Sequence, residues 1–180
     1  MNNHTSSLEF SHFPVMLNEI LNISSPSKGG VYIDCTFGGG GYSKHLLKFP
    51  KTTVKGLDRD SKVKPLGKKL EKKFPKRFEF HQIKFSQLES ISKEKVDTII
   101  FDLGVSSFQL LDMSRGFSFK SKEKIDMNMG LSSFSAEEVI NNYEANDLKA
   151  ILKILGEEKD ASNIVKNILK ARKIKKISQV

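Results

Sequence analysis

Three aspartates of the sequence accompany β-prone runs, close to the point where each strand is expected to end. The pairs are the run 31–34 with Asp34, the run 53–57 with Asp58, and the run 96–103 with Asp102. The carboxyl ends of parallel strands meet at one edge of an open sheet, and ligands bind there. We therefore expect these carboxylates to share a site. Alternatively, Asp58 could cap a helix, and Asp102 could cap a helix or pair with a cation.

Four consecutive glycines, residues 38–41, follow the first of these strands. Glycine lets the backbone approach a ligand closely, and the next helix offers free N–H groups at its N-terminus. A tight linker is the alternative, but four glycines in a row are conformationally costly for that purpose. The run therefore predicts a ligand-binding loop between a strand and a helix.

The residues around this loop do not fit a dinucleotide site well. Such a site needs G-x-G-x-x-G with an acid about 20 residues further on, and Gly38, Gly40 and Ser43 fill the pattern incompletely. Asp34 precedes the glycines, where its charge favours a cationic or amine-bearing ligand. Asp58 is placed to accept both hydroxyls of a ribose. A nicotinamide-dependent dehydrogenase is therefore disfavoured.

The hydrophobic periodicity predicts strands that alternate with helices through the first half of the chain. Helices are expected over 14–21, 42–49 and 65–74, and a further strand over 77–82. The run 96–103 is apolar on both faces, as in a central parallel strand covered by helices on each side. Such βα units in succession predict a parallel, right-handed, doubly wound α/β sheet.

After Gly104 the pattern changes to a long segment, 105–129, that is rich in Ser, Lys and Gly. Long loops of this kind are usually functional or mobile. Three helices should follow: one opened by a capping box at residues 135–138, one over 144–155 and one over 157–173. No strand is predicted after residue 103. We expect residues 1–115 to form one domain and residues 116–180 a helical module.

The composition is that of a globular protein with an excess of lysine. The net charge of +9, from 30 basic and 21 acidic residues, suits a polyanionic partner such as nucleic acid. The basic runs 62–76 and 166–176 fit solvated helix faces equally well. The single cysteine, Cys35, predicts a small buried residue and neither a disulfide nor a metal site. Neither a membrane span nor a secretory signal is predicted, which favours a cytoplasmic location.

Several distinctive blocks follow one another along the sequence. They are HFPVMLNE at 12–19, DCTFGGGGYS at 34–43, GLDRD at 56–60, DLGVSSFQ at 102–109, RGFSF at 115–119, IDM at 125–127 and GEE at 156–158. Together they closely resemble the bacterial ribosomal RNA small-subunit methyltransferase H family, also called MraW, over about residues 12–180. The resemblance implies a Rossmann-like class I S-adenosylmethionine-dependent methyltransferase domain interrupted by an inserted helical module.

The resemblance also implies an activity, N4-methylation of a cytosine in the decoding region of 16S ribosomal RNA in the small ribosomal subunit. With the residue types above, it predicts the cofactor contacts Asp34, Gly38, Gly40, Gly41, Tyr42, Asp58, Phe85, Asp102 and Gln109. Asp102, with the loop 105–107, is expected to orient the cytosine amine and is the candidate catalytic residue. The predicted RNA contacts are Ser106, Ser107, Arg115 and Phe117. Phe117 could instead pack its loop onto the helical module.

The sequence departs from the family pattern at several points. Tyr42 stands where the family usually has His, Glu123 and Lys124 replace Gly-Pro, and Asn128 replaces Arg. The family sheet, in the order 3-2-1-4-5-7-6, also needs strands after the insertion that are not predicted here. We therefore expect a truncated chain whose fourth strand is an apolar edge open to another chain, for instance in a homodimer. The alternative function is a non-catalytic remnant that binds S-adenosylmethionine or RNA without turnover.

Overall fold

The computed structural model describes residues 13–132 and 134–179, which fall into two compact units. The first unit extends to Gly104 and the second begins at Val105. The loop 105–115 therefore groups with the helical residues, because bonds such as that from the Met127 N–H to the Arg115 carbonyl, 2.8 Å, tie it to later parts of the chain. The predicted domain boundary at residue 115 lies beyond this division and stays a prediction.

A four-stranded parallel sheet forms the centre of the first unit. Its strands are β1 (Gly30–Asp34), β2 (Thr52–Leu57), β3 (Phe78–His81) and β4 (Thr98–Ile100). Their spatial order is β3-β2-β1-β4. The register places Asp34 beside Gly56 of β2 and Ile100 of β4, so the carboxyl ends of three strands lie side by side. The predicted parallel α/β sheet is confirmed.

Helices and short 3₁₀ turns connect these strands. The helices are α1 (Leu17–Ser24), α2 (Gly41–Leu46) and α3 (Lys64–Lys73), and the turns are Pro26–Lys28, Ser61–Val63 and Phe85–Ser90. The prediction that the first helix begins at Pro14 is wrong. Met16 takes a left-handed conformation with φ 50°, so the helix starts only after it. Pro65 does lie in the first turn of α3, where no helical hydrogen bond is lost.

Phe37 is the centre of the packing beneath the glycine loop. This buried side chain contacts the rings of Phe78 and Phe80 at centroid distances of 5.6 and 5.2 Å. Gly56 in β2 provides the necessary space, because a Cβ there would lie 2.8 Å from both the Phe37 and Phe78 rings. The loop that follows β1 is thereby anchored on the aromatic core at its first turn.

β4 is shorter and more exposed than its sequence predicts. Of the apolar run 96–103, only three residues join the sheet, and β4 lies at the edge with β1 as its one neighbour. Ile99 is 41% exposed, and Phe101 and Leu103 are exposed as well. The prediction of a central strand covered on both faces is therefore wrong for the described residues, because an edge strand has cover only where neighbouring elements reach it. Within the described ranges β4 forms the expected apolar edge, and its pairing with a second chain stays a prediction.

The second unit is helical in its described part. Its helices are α4 (Ser107–Leu111), α5 (Ala136–Asn142), α6 (Ala145–Ala150) and α7 (Ala161–Ile174). α6 continues into a π-helical turn over Ile151–Leu155 and ends at Gly156. The predicted capping box at the start of α5 is confirmed, since Ser135 and Glu138 exchange side-chain-to-backbone hydrogen bonds.

α7 is tied to α5 through side chains that bond to the backbone. The Arg172 guanidinium donates to the carbonyls of Ile140 and Tyr143 at 3.1 and 2.8 Å, which satisfies carbonyl groups at the end of α5. Asn141 exchanges two hydrogen bonds with the backbone of Ile177. α7 therefore has a fixed position within this unit. No helix in the described ranges is both long and apolar enough to cross a bilayer.

Candidate functional site

Backbone hydrogen bonds hold the glycine loop, residues 35–41, at the carboxyl edge of the sheet. The Cys35 N–H donates to the Ile100 carbonyl, and the Phe37 N–H donates to the Leu57 carbonyl, both at 2.9 Å. The loop thus bonds first to β4 and then to β2, the two neighbours of β1. Its course is set by the sheet before any ligand binds.

The glycines of this loop have different surroundings. Gly40 precedes α2 in a left-handed conformation with φ 74°, and a Cβ there would lie 2.8 Å from the Phe37 ring. Gly41 is covered by Pro14. Beside Gly38, by contrast, a Cβ would have a single described neighbour, the Thr36 carbonyl oxygen at 3.8 Å. The packed side of the loop therefore faces the core, and the side at Gly38 is open to a ligand.

Asp34 is a fully enclosed carboxylate at the end of β1. Its side chain is 0% exposed, and Oδ2 accepts a hydrogen bond from the Ser43 hydroxyl at 2.7 Å. Burial, reinforced by the charge of Asp58, raises the pKa of Asp34 to about 6. Oδ1 has no hydrogen-bond partner within the described ranges, which is rare for a buried polar atom. The predicted cofactor contact of Asp34 stays a prediction.

Asp58 holds the glycine loop with its side chain. Oδ2 accepts the Gly38 N–H and Oδ1 accepts the Asp60 N–H, both at 2.8 Å. Burial raises the pKa of this carboxyl, although the two N–H groups act in the opposite direction. The cap of the following 3₁₀ turn is Asp60, which accepts the Lys62 N–H. Asp58 is therefore not the cap of that turn, and its carboxylate stands at the open side of the loop.

Asp102 is attached to the same loop through its backbone. The Asp102 N–H donates to Thr36 Oγ1 at 2.8 Å. Its carboxylate accepts no hydrogen bond from the part of the chain that the structure describes. Burial raises the pKa of the Tyr42 hydroxyl, and the charges of Asp102 and Asp34 add to this shift. The predicted grouping of Asp34, Asp58 and Asp102 around the glycine loop is present.

Tyr42 fastens the segment before α1, residues 13–16, to the start of α2. We call this segment the strap. The buried Tyr42 hydroxyl donates to the Val15 carbonyl at 2.5 Å. Pro14, also in the strap, packs against Gly41. The sequence predicts a contact of Tyr42 with the cofactor, and the side-chain bond to the strap is a second role that only the folded chain reveals.

An exposed pair of aromatic rings follows the strands at this edge. Phe85 and Phe101 meet edge to face with ring centroids 5.5 Å apart. Both side chains are nearly half exposed, at 44% and 48%. Phe85 is a predicted cofactor contact, whereas the sequence gives no sign of Phe101 because the apolar run 96–103 predicts a buried strand. The pair offers an apolar surface to a planar ligand.

Three predicted site residues of the second unit lie at the start of α4. The Ser106 hydroxyl accepts the Gln109 N–H at 3.3 Å, and Gln109 Oε1 accepts the Ser106 N–H at 2.8 Å. Ser107 is the first residue of the helix. Gln109 is buried, and its side-chain oxygen is already engaged in the capping box. The proposed contacts of these residues with cofactor or RNA stay predictions.

Arg115 and Phe117 interact with each other inside the second unit. The Arg115 guanidinium lies 5.4 Å from the centre of the Phe117 ring and donates to the Asn128 carbonyl at 2.6 Å. Asn128 replaces the usual Arg of the family and receives this bond through its backbone. Phe119, two residues beyond Phe117, is 98% exposed. Of these two rings, Phe119 is the more accessible for stacking on a base.

His12, the first residue of the block at 12–19, lies outside the described residues. Cys35 is buried as expected, and burial raises the pKa of its thiol to about 11, so the thiol stays protonated at neutral pH. Among the described residues, no group of three or more His, Cys, Asp or Glu side chains is arranged to hold a metal ion.

A parallel sheet in the order β3-β2-β1-β4, with a glycine loop after β1 and carboxylates at three strand ends, defines a Rossmann-like α/β ligand-binding domain. The sequence identifies the protein family within this class of domains. Residues 9–180 match the model of the MraW methylase family, and the chain belongs to that family. The resemblance inferred from the sequence blocks is therefore confirmed.

Curated relatives agree with this assignment. Ribosomal RNA small subunit methyltransferase H of Bartonella bacilliformis is 43% identical over 164 residues, which are 91% of this chain and 49% of the relative. The protein of the same name from Rickettsia massiliae is 40% identical over 168 residues, which are 93% of this chain and 55% of the relative. The chain spans about half the length of the curated relatives it matches.

Proposed function

We propose that this chain forms the methyl-donor-binding part of an enzyme that transfers a methyl group from S-adenosylmethionine to N4 of a cytosine in the decoding region of 16S ribosomal RNA. The observation that carries the proposal is the glycine loop surrounded by Asp34, Asp58 and Asp102 in a member of the MraW methylase family. The relatives named ribosomal RNA small subunit methyltransferase H support this substrate class. The small ribosomal subunit is then the partner and the cytoplasm the compartment.

The residues of the first unit suit the parts of this donor. Asp34, enclosed at the end of β1, holds the start of α2 through the Ser43 hydroxyl, and its charge favours a cationic ligand at this edge. Asp58 can accept ribose hydroxyls, since each of its oxygens retains a lone pair beside the backbone bond. The Phe85–Phe101 pair provides an apolar face for adenine. The open side of Gly38 leaves room between these groups.

The chemistry requires alignment more than a reactive side chain. S-adenosylmethionine supplies a methyl group on a positively charged sulfur. Holding the amine in line with that methyl is worth about 7 to 11 kcal/mol in favourable cases. The lone pair of cytosine N4 is conjugated with the ring, so an acceptor for its N–H groups is needed to direct the pair. Asp102 can supply this acceptor and receive the proton that the amine loses, because its carboxylate has no described partner.

Calorimetric titration of the chain with S-adenosylmethionine and with NAD tests the donor site. We expect heat of binding with S-adenosylmethionine and none with NAD. Asp58→Asn should lower donor affinity roughly tenfold to a hundredfold, because a hydrogen bond to a charged group is lost. Asp147→Asn, an exposed carboxylate of the second unit, is the matched control and should not change affinity. Binding of NAD in preference to S-adenosylmethionine would overturn the proposal.

Transfer of a labelled methyl group to isolated 30S subunits tests the reaction. Incorporation at a cytosine N4 is the expected result for a full-length relative, and the same assay applied to this chain measures its own activity. Donor binding without incorporation by this chain would favour the alternative of a non-catalytic remnant.

Asp102→Asn, made at the matching position of a full-length relative, should lower kcat in addition to any loss of donor affinity. Loss of a positioned proton acceptor typically costs a factor of about 100 or more in rate. Single-turnover methyl transfer and calorimetry on the same preparation separate the two quantities. A wild-type kcat in this variant would show that Asp102 does not orient the amine.

A further inference from the structure

An open groove of about 380 Å³ lies between helices α6 and α7 in the second unit. Four lysines line it, Lys149 from α6 and Lys166, Lys170 and Lys173 from α7. Val165 is buried beneath them and Leu169 is partly buried, so the floor is apolar. We call this feature the lysine groove. A floor of this kind supports long lysine stems while the ammonium groups remain in water.

The charges of the lysine groove are not compensated within the described residues. No acidic side chain lines the groove, and none of its lysines forms an ion pair with a described residue. Asp160, at the start of α7, is bonded to Asn163 instead. Lys166, Lys170 and Lys173 are spaced four and three residues apart, so they repel one another along one helix face. This arrangement weakens the isolated helix, and an anionic ligand would relieve the repulsion.

We infer that the lysine groove binds the sugar–phosphate backbone of single-stranded RNA. The inference rests on the proposed function in taking RNA as the polyanion, but it uses residues that are separate from those assigned to the donor. Ammonium groups are compact point charges that bind phosphate oxygens. Along α7 they follow one another at about 6 and about 4.5 Å, which suits a series of phosphates better than one compact anion.

The lining also defines how selective this contact can be. None of the described residues that line the groove is aromatic, so they offer no surface on which a base could stack. Phosphate contacts fix the position of a nucleic acid and carry no sequence information of their own. The lysine groove should therefore hold RNA independently of its sequence, and base recognition must come from other residues.

Fluorescence anisotropy of the full chain with a short labelled oligouridylate, measured over a range of salt concentrations, tests the inference. In the groove variant all four lysines, Lys149, Lys166, Lys170 and Lys173, are changed to Gln. The slope of log affinity against log salt should become shallower by about 3, since each contact with a single strand contributes about 0.7. Those four contacts correspond to about a fiftyfold fall in wild-type affinity between 50 and 200 mM salt.

A control variant carries the same charge change on the first unit, with Lys62, Lys64, Lys69 and Lys72 changed to Gln. These lysines are exposed, and the slope should change by less than about 1. Replacing the groove lysines by Arg should preserve the slope, and circular dichroism confirms that each variant is folded. Equal losses in the groove and control variants, or an unchanged slope in the groove variant, would overturn the inference.

Three further outcomes are decisive. Displacement of the RNA by polyglutamate at the same charge concentration would indicate a groove for an acidic protein and would also contradict the inference. RNA binding is measured without methyl donor, and donor binding is measured without RNA. If the chain binds the donor but the groove lysines do not affect RNA binding, this inference alone is wrong. If RNA binding depends on the groove lysines but the chain does not bind the donor, the proposed function alone is wrong.

Discussion

At the edge of the sheet Asp34 and Asp58 are hydrogen-bonded and buried or partly buried, whereas the lysines of the groove are exposed and have no described partner. Asp34 is inaccessible to solvent, and Asp58 accepts backbone N–H groups with both oxygens. Lys166 and Lys170, by contrast, are exposed to solvent. Enclosed charges have a fixed geometry and suit a small ligand with distinct ends. Exposed charges act through their number and are weakened by salt, which suits a repeating polymer.

This contrast predicts that single changes at the sheet edge have large effects and single changes on the groove have small ones. Gly40→Ala should be the most damaging. The new Cβ would lie 2.8 Å from the Phe37 ring at a left-handed φ of 74°. Overpacking and backbone strain together should lower the free energy of unfolding by about 2 to 5 kcal/mol. Urea denaturation followed by circular dichroism measures the change.

Two matched variants show whether the Phe37 ring is the cause. Gly38→Ala shares the left-handed conformation, φ 49°, but its Cβ would meet one carbonyl oxygen at 3.8 Å. It should cost about 1 kcal/mol. Lys166→Ala on α7 should change stability by less than about 0.5 kcal/mol. If Gly40→Ala and Gly38→Ala cost the same, the anchoring of the loop by Phe37 is refuted.

Asp34→Asn should alter the dependence of stability on pH. The pKa of Asp34 is raised from 3.8 to about 6 in the folded chain. The folded state therefore binds more protons between these values, so its stability is greatest below pH 3.8 and falls as pH rises through about 6. The ionised carboxylate costs the fold about 3 kcal/mol at pH values above this window.

The amide that replaces this carboxylate cannot ionise, and it keeps an oxygen for the Ser43 hydroxyl. The free energy of unfolding of Asp34→Asn relative to wild type should therefore increase by about 2.5 kcal/mol between pH 4 and pH 8. Urea titrations at several pH values measure this difference. Glu94→Gln, at an exposed position, should show no such trend. A constant difference between Asp34→Asn and wild type would contradict the described burial.

The sequence predicts those strands and helices that are marked by residues next to one another in the chain. β1 and β2 are continuous β-prone runs, and the capping box of Ser135 with Glu138 marks the start of α5 without help from the rest of the chain. The carboxylates at the sheet edge are predictable for the same reason, since each accompanies a strand. The burial of a side chain depends on residues that are distant in the sequence, so it is harder to predict. That Asp34 is fully enclosed depends on how α2 and the loop cover it.

Other features depend on residues that are far apart in the chain. The exposure of Ile99 reflects the edge position of β4, which an apolar run alone does not reveal. The ring of Phe101 becomes part of a surface only because Phe85 lies against it. The left-handed Met16 likewise has no marker in residue type.

Tyr42→Phe should have a smaller effect than Gly40→Ala or Asp34→Asn and separates ligand positioning from folding at the sheet edge. The substitution removes the hydrogen bond to the Val15 carbonyl, 2.5 Å in length, and should lower the free energy of unfolding by about 1 kcal/mol. Tyr143→Phe is the matched control, since no described residue bonds to its hydroxyl. It should change stability by less than about 0.5 kcal/mol. Equal effects would show that the strap is not held by Tyr42. A Tyr42→Phe chain that is as stable as wild type but binds S-adenosylmethionine more weakly would mean that the strap acts on the ligand and contributes little to the fold.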